Sequence, residues 1–277
     1  MQSARPSRTA QRVAMRRAAH QLLDDPRVFE DPLAVAMAGE AANGADAQEP
    51  WSRALRAFLA ARSRYAEDQL ARAVGRGVGQ YVLLGAGLDT FAYRNPFRTE
   101  GLRVFEVDHP ATQAWKRERL EEASIAVPNG VTFAPVDFER QSLSDGLAPS
   151  GFDTHRAAFF SWLGVTPYLS RAAFDATIGF IAHLKPESGV AFDYAVERRL
   201  LTPRQQAALD VMSERVARAG EPFQLFFDPK ALVRDLAREG FRDIEDLDGE
   251  AINARYFAGR ADGLAVGGSG HVLSAWL

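Results

Sequence analysis

The sequence contains no cysteine, which excludes disulfides, thiolate metal sites and cysteine nucleophiles together and leaves the redox compartment open. No apolar run approaches the ~18 residues of a membrane span, so a soluble protein without a membrane partner is expected. Charge of one sign is not in excess. The 33 Lys and Arg residues against 36 Asp and Glu give a net charge of −3, which argues against a broad phosphate-binding face and hence against a nucleic-acid partner. His20, His109, His155, His183 and His271 are scattered without metal-ligand spacing, so no metal is expected. Gly267-Gly268-Ser269-Gly270-His271 lacks the closing glycine of a nucleophile elbow and reads as a loop entering a strand. There is no internal repeat and no low-complexity run.

What is present is an ordinary globular composition, 47% hydrophobic and 25% charged over 277 residues, which suits one large domain with a lid or extension. A chain of this size can bury roughly 75% of its unfolded surface and needs no staple. Arg5, Arg8, Arg12, Arg16 and Arg17 precede the foldable Leu22, Leu23, Val28 and Phe29. They read as a basic, structured N-terminal helix rather than a targeting peptide, with a cytoplasmic location as the expectation. Asn43 to Pro50 is the expected mobile connection. Residues 57–74 read as helix, stopped by Gly75, Gly77 and Gly79.

Strand signals then recur at residues 81–84, 103–107, 131–133, 157–160 and 190–192, with helical stretches at 111–123, near Leu143 and at 171–183. That alternation predicts a parallel sheet covered on both faces, with ligands outside the carboxyl ends of its strands. Helices at 203–219 and 229–239, strands at 241–244 and 272–275 and a long loop between them predict an antiparallel closing hairpin. The expected division is a helical cap over residues 1–75 and a core over 76–277, with a lid insertion at about 200–230.

The first strand runs into Gly85-Ala86-Gly87, and the second ends in Glu106-Val107-Asp108. Two glycines permit a sharp turn and close approach of a ligand, and an acid roughly 20 residues later is placed for ribose hydroxyls. Two ligands compete for such a turn. A dinucleotide fingerprint wants a third glycine where Thr90 stands; S-adenosylmethionine has no phosphates and needs no pyrophosphate cradle.

LLGAGLDTFAYR, VFEVDHPATQAWKRERL and FAPVDFE, together with RAAHQLLDDPRVFEDPLA, RSRYAEDQL, SWLGVTPYLS and EPFQLFFDPKALVRDLAREGF, resemble the leucine carboxyl methyltransferase-like family of class I S-adenosylmethionine-dependent methyltransferases. That family includes bacterial members of polyketide and other secondary metabolism. The resemblance covers nearly the whole chain. It implies a Rossmann-like, seven-stranded, mostly parallel α/β sheet with an N-terminal helical cap and a helical lid. It also implies S-adenosylmethionine as cofactor and S-adenosylhomocysteine as product. Gly85 and Gly87 match the turn beside the methionyl part, and Asp108 the ribose acid. Asp137 and Phe138 match the adenine pair, and Arg62 the arginine that meets the cofactor's carboxylate, with Arg64 as the alternative register.

Two departures stand out. Leu83 occupies the place of an acid two residues before the first glycine, and SWLGVTPYL has no acid where the family carries a glutamate after the fourth strand. Trp162, Leu163 and Tyr168 must wall that side, so methylation of a protein C-terminus does not carry over. The expected activity is O-methylation of a small organic acceptor, a carboxylate or a phenol or hydroxyl. An NAD(P)-dependent oxidoreductase and a non-catalytic S-adenosylmethionine-binding protein are the competing readings. A carboxylate acceptor needs no base; a phenol costs about 4 kcal/mol to ionise at pH 7. His109, Tyr168, Tyr194 and Glu197 are the candidates near the strand ends. Phe223, Phe226, Phe227, Trp51 and Phe58 are candidate linings of an acceptor pocket.

Overall fold

A computed structural model describes residues 8–39, 50–137 and 141–277. The N-terminal region carries α1 (Arg8–Leu23), the short α2 (Ala34–Ala38) and the long α3 (Pro50–Gly75). Apart from Pro50, which opens α3, the expected connection at Asn43–Pro50 lies outside the described residues.

The core then alternates strand and helix. It begins with β1 (Gln80–Leu84), α4 (Phe91–Arg94), β2 (Arg103–Asp108), α5 (Pro110–Glu122), β3 (Val131–Pro135) and α6 (Leu143–Leu147). It continues with β4 (Phe159–Trp162), α7 (Arg171–Ala182) and β5 (Gly189–Ala195). The tail holds α8 (Pro203–Arg218), α9 (Pro229–Arg238), β6 (Asp243–Leu247), α10 (Gly249–Tyr256) and β7 (Gly270–Trp276). Among the described residues no helix is long and apolar enough to cross a membrane.

The strands form one seven-stranded sheet in the order β3-β2-β1-β4-β5-β7-β6. β1 to β5 are parallel, and β7 runs antiparallel to both β5 and β6. This is the expected mostly parallel α/β sheet with its antiparallel closing pair. Strand order reverses between β1 and β4, and the crevice of such a reversal lies at the strands' carboxyl ends.

Alternation along the strands divides the core into two layers. Tyr81, Leu83, Phe159 and Trp276 face α3 and α10, where Tyr65, Leu70 and Ile252 cover them. Phe105, Phe160, Trp162 and Phe192 face the other way, against Phe174 and Ile178 of α7 and Leu232 and Leu236 of α9. Every residue of β1 and β5 is buried, as strands covered on both faces require.

Three local differences have physical causes. β4 lies two residues later than its apolar run suggests, because Tyr81 pairs with Phe159 and carries the ladder on to Ser161 and Trp162. β6 extends through Glu245 and Asp246, charged residues that the apolar pattern leaves outside the strand. Here Glu245 binds Arg255 at 2.6 Å and accepts from Tyr65 at 2.9 Å, which satisfies it on the edge strand. The expected long loop before β7 contains α10, capped by Asp248 accepting from Ala251 N at 2.8 Å and anchored by buried Ile252.

Candidate active site

The glycine turn lies on the carboxyl edge beside the strand-order reversal. Gly85 and Gly87 have φ of +65° and +44°, the region that favours glycine. The N–H groups of Gly85 and Ala86 both donate to Val107 O, at 2.8 and 3.1 Å, which ties the turn to β2. A Cβ on Gly85 would fall 2.3 Å from Val165 Cγ2, so the segment leaving β4 packs directly on the turn.

Asp108 closes the other side. Its Oδ2 accepts from Gly87 N at 2.5 Å and its Oδ1 from His109 N at 2.7 Å. Burial pushes the Asp108 carboxyl above its ordinary value, while those two N–H groups pull against the shift. Each oxygen keeps acceptor capacity beyond its one bond. Val136 N donates to Asp108 O at 2.9 Å, which sets half-buried Asp137 beside Asp108 at the end of β3. Phe138 lies outside the described residues.

Arg62 and Arg64 diverge. Arg62 is 7% exposed and donates from Nη1 to Asp193 Oδ2 at 2.8 Å, at the carboxyl edge. Arg64 is solvent-exposed and paired with Asp68 at 2.8 Å along the helix. Gly164, with φ of +72°, closes over Arg62: a Cβ there would lie 2.7 Å from Nη2. Residues 164–165 therefore bridge Arg62 and the glycine turn. Leu83, at the position of the missing acid, is buried in the layer under α3.

The candidate bases have separate environments. Exposed His109 caps α5, its Nδ1 accepting from Ala111 N at 3.2 Å. Glu197 lies between β5 and α8, paired with Arg199 at 2.5 Å. Tyr194 is 1% exposed on the layer facing α7 to α9, the opposite side from Arg62. Its hydroxyl donates to Asp246 Oδ2 at 2.8 Å, and burial followed by that carboxylate pushes its pKa up, so it does not ionise at neutral pH. Tyr168 is half-buried at the edge. Burial pushes its hydroxyl up to about 12, against the lowering influence of the Thr9 hydroxyl and Arg62.

Of the expected wall, Trp162 turns into the core, stacked on Phe174 at 5.4 Å, because its place in β4 points it at α7. Leu163 and Tyr168 remain nearer the edge. Phe223 packs on Tyr168 at 5.2 Å and on Phe226 at 6.3 Å, a small aromatic group beside the crevice. Phe227 instead is 3% exposed against Phe174 and Tyr194, and Phe58 covers Gly270 on the α3 side. The side chain of Trp51 lies outside the described residues.

Two residues at this edge, Asp193 and Thr9, escape sequence reasoning. Asp193 had one signal, a lone acid within the apolar run Val190-Ala191-Phe192 and Tyr194-Ala195. Thr9, which donates to Glu221 Oε2, had none. The contact lays the first turn of α1 across the edge, with Ala10 Cβ 3.4 Å from the Cβ position of Gly87. Asp89 accepts from Phe91 N at 2.7 Å and from Arg17 at 2.5 Å. A cavity of about 780 Å³ between α1, α2 and α5 adjoins the turn through Leu88 and is lined by Trp115, Met37 and Arg119 rather than the candidate residues. Among the described residues no group of His, Asp or Glu is placed to hold a metal ion.

Comparison with known proteins bears on the fold and the family. The overall structure resembles a methyltransferase-fold protein of Thermobifida fusca, with TM-score 0.60 and 17% identity over 99% of this chain and 96% of that one. A Bacillus subtilis protein, YktD, provisionally named an S-adenosyl-L-methionine-dependent methyltransferase, is 36% identical over 78% of this chain and 71% of its own length. A Mycobacterium avium protein with the same provisional name is 30% identical over 93% of this chain and 89% of its own. Residues 10–182 match the family described as leucine carboxyl methyltransferase. The chain belongs to that family of methyltransferases.

Proposed function

We propose that this protein methylates an oxygen of a small organic acceptor, a carboxylate or a phenol or hydroxyl of the kind found in secondary metabolites. As a member of its family it is an S-adenosylmethionine-dependent methyltransferase, and S-adenosylmethionine is its methyl donor. One observation carries the assignment of the donor site. The Asp108 carboxylate at the end of β2 is tied to the N–H of Gly87 after β1, beside the strand-order reversal, with Arg62 on the far side of Val165.

The residues present suit the donor. Asp108 has acceptor capacity left for ribose hydroxyls, and Arg62 uses one N–H donor of a planar fork matched to a carboxylate. Gly85 and Gly87 would flank the methionyl chain, and Asp137 and Phe138 would take the adenine. The cofactor supplies a methyl group on positively charged sulfur. The protein's part is to align the acceptor oxygen and exclude water, and such alignment provides much of a displacement's barrier reduction. With its hydroxyl pushed up to about 12, Tyr168 stays protonated at neutral pH. It therefore serves as a hydrogen-bond donor to an acceptor oxygen rather than as a base, with Phe223 and Phe226 holding the acceptor's apolar body.

Calorimetry with S-adenosylhomocysteine and NADPH, followed by turnover on a panel of carboxylates and phenols, tests this reading. S-adenosylhomocysteine binding with methyl ester or ether formation is expected. Binding of NADPH alone, or methylation confined to nitrogen, would overturn it.

A further inference from the structure

We propose that Asp193 is the acidic half of a clamp for the donor's amino-acid end: it sets Arg62 to meet the carboxylate and itself receives the α-ammonium. The proposal rests on the donor site described above. Asp193, 5% exposed near the end of β5, and Arg62, 7% exposed on α3, come from opposite sides of the layer and pair at 2.8 Å. Asp193 Oδ1 accepts from Gly164 N at 2.5 Å, and its backbone carbonyl accepts from Thr166 Oγ1 at 2.6 Å. The carboxylate is thus held from two directions, and the Thr166 bond fixes the backbone beneath it.

Its hydrogen bonds remain incomplete. Among the described residues each carboxylate oxygen accepts one bond, and Arg62 donates one. A carboxylate offers about four acceptor positions and a guanidinium five donors. Nε and Nη2 of Arg62 are not sealed in the core, since neither is among the enclosed unpaired atoms. An ion pair taken this far out of water is stable only when its remaining lone pairs and protons are also met. A single ligand that meets both must donate to Asp193 and accept from Arg62, as the ammonium and carboxylate of an α-amino acid do.

The position agrees with this chemistry. Gly164 at φ +72° closes onto Arg62, and the neighbouring Val165 touches the Gly85 turn, so pair and turn border the same recess. A residue from β5 therefore supplies an acid that the segment after β4 lacks.

Calorimetry on the full chain tests the clamp with three probes: S-adenosylhomocysteine, its analogue lacking only the α-amino group, and 5′-methylthioadenosine, which lacks the amino acid altogether. The wild type is expected to prefer S-adenosylhomocysteine over the des-amino analogue by about tenfold or more, the worth of one charge-assisted bond. Asp193→Asn is expected to abolish that preference and leave methylthioadenosine binding unchanged. Equal wild-type affinity for S-adenosylhomocysteine and the des-amino analogue would overturn the proposal even if the variant fails to fold. So would an Asp193→Asn loss that is the same for all three probes, which marks a purely structural pair. Asp108→Ala separates the layers of inference. If it weakens S-adenosylhomocysteine while Asp193→Asn does not, only the clamp fails; if neither does, the donor-site assignment fails with it.

Discussion

Replacing Arg17 by methionine tests whether α1 is built into the glycine turn or merely lies on it. Arg17 is 7% exposed and donates from Nη2 to Asp31 at 2.7 Å and from Nη1 to Asp89 at 2.5 Å. Asp31 is fully buried and also accepts from Thr90 Oγ1 at 2.7 Å. Methionine keeps the apolar stem but leaves two carboxylates without their shared cation. Breaking a buried pair from one side costs about 3–5 kcal/mol. Arg94, whose Nε lies 3.4 Å from Asp31, stays in place and holds the loss near the lower end.

About 3 kcal/mol is a large share of a stability of about 5–15 kcal/mol. At roughly 2–4 °C per kcal/mol it lowers the unfolding temperature by about 6–12 °C. The pH dependence has a definite sign. Burial pushes Asp89 upward, but Arg17, Lys116 and Arg94 outweigh it and hold its pKa below the ordinary value. A depressed carboxylate contributes stability above its unfolded pKa, about 3.9, and loses it as pH falls through the folded value. Without Arg17 the burial of Asp89 has less to oppose it, so the gap between wild type and variant is widest at neutral pH and narrows on acidification. Thermal unfolding followed by circular dichroism between about pH 2 and pH 8 measures both effects, the narrowing falling below the unfolded pKa of about 3.9. A loss below about 1 kcal/mol, or a gap that widens as pH falls, would refute the reasoning.

Asp108→Ala is expected to weaken S-adenosylhomocysteine binding by about 1–3 kcal/mol in calorimetry, the range for a lost buried hydrogen-bonding partner. Gly85→Ala meets Val165 Cγ2 at 2.3 Å and a φ of +65°; a destabilisation of about 1–3 kcal/mol is expected, recovered only in part by Val165→Ala because the backbone strain remains. Tyr168→Phe is expected to lower turnover on oxygen acceptors while leaving S-adenosylhomocysteine affinity unchanged. With the wild-type hydroxyl pushed up to about 12, no loss of activity from its ionisation is expected up to pH 9, which a pH–rate profile checks.

The local pattern of the chain was enough to determine the sheet, the glycine turn and the acids that end the second and third strands. Apolar runs, glycines and helix stops act over a few residues, and the alternation of strand and helix dictates a covered parallel sheet whose carboxyl edge carries Gly85, Gly87, Asp108 and Asp137. Periodicity did not reveal α10 or the full β6, since their charged residues are satisfied only by partners such as Arg255 and Tyr65. Tertiary structure alone decided which arginine reaches the edge. Arg62 and Arg64 are two residues apart on one helix, and only packing against the sheet turns the first toward Asp193, 131 positions later, and the second toward solvent. The same holds for Trp162, turned into the core by its register against β1 and β5, and for Thr9, brought to Glu221 across 212 positions. Contacts of that span are set by strand order and helix packing, which no spacing along the chain records.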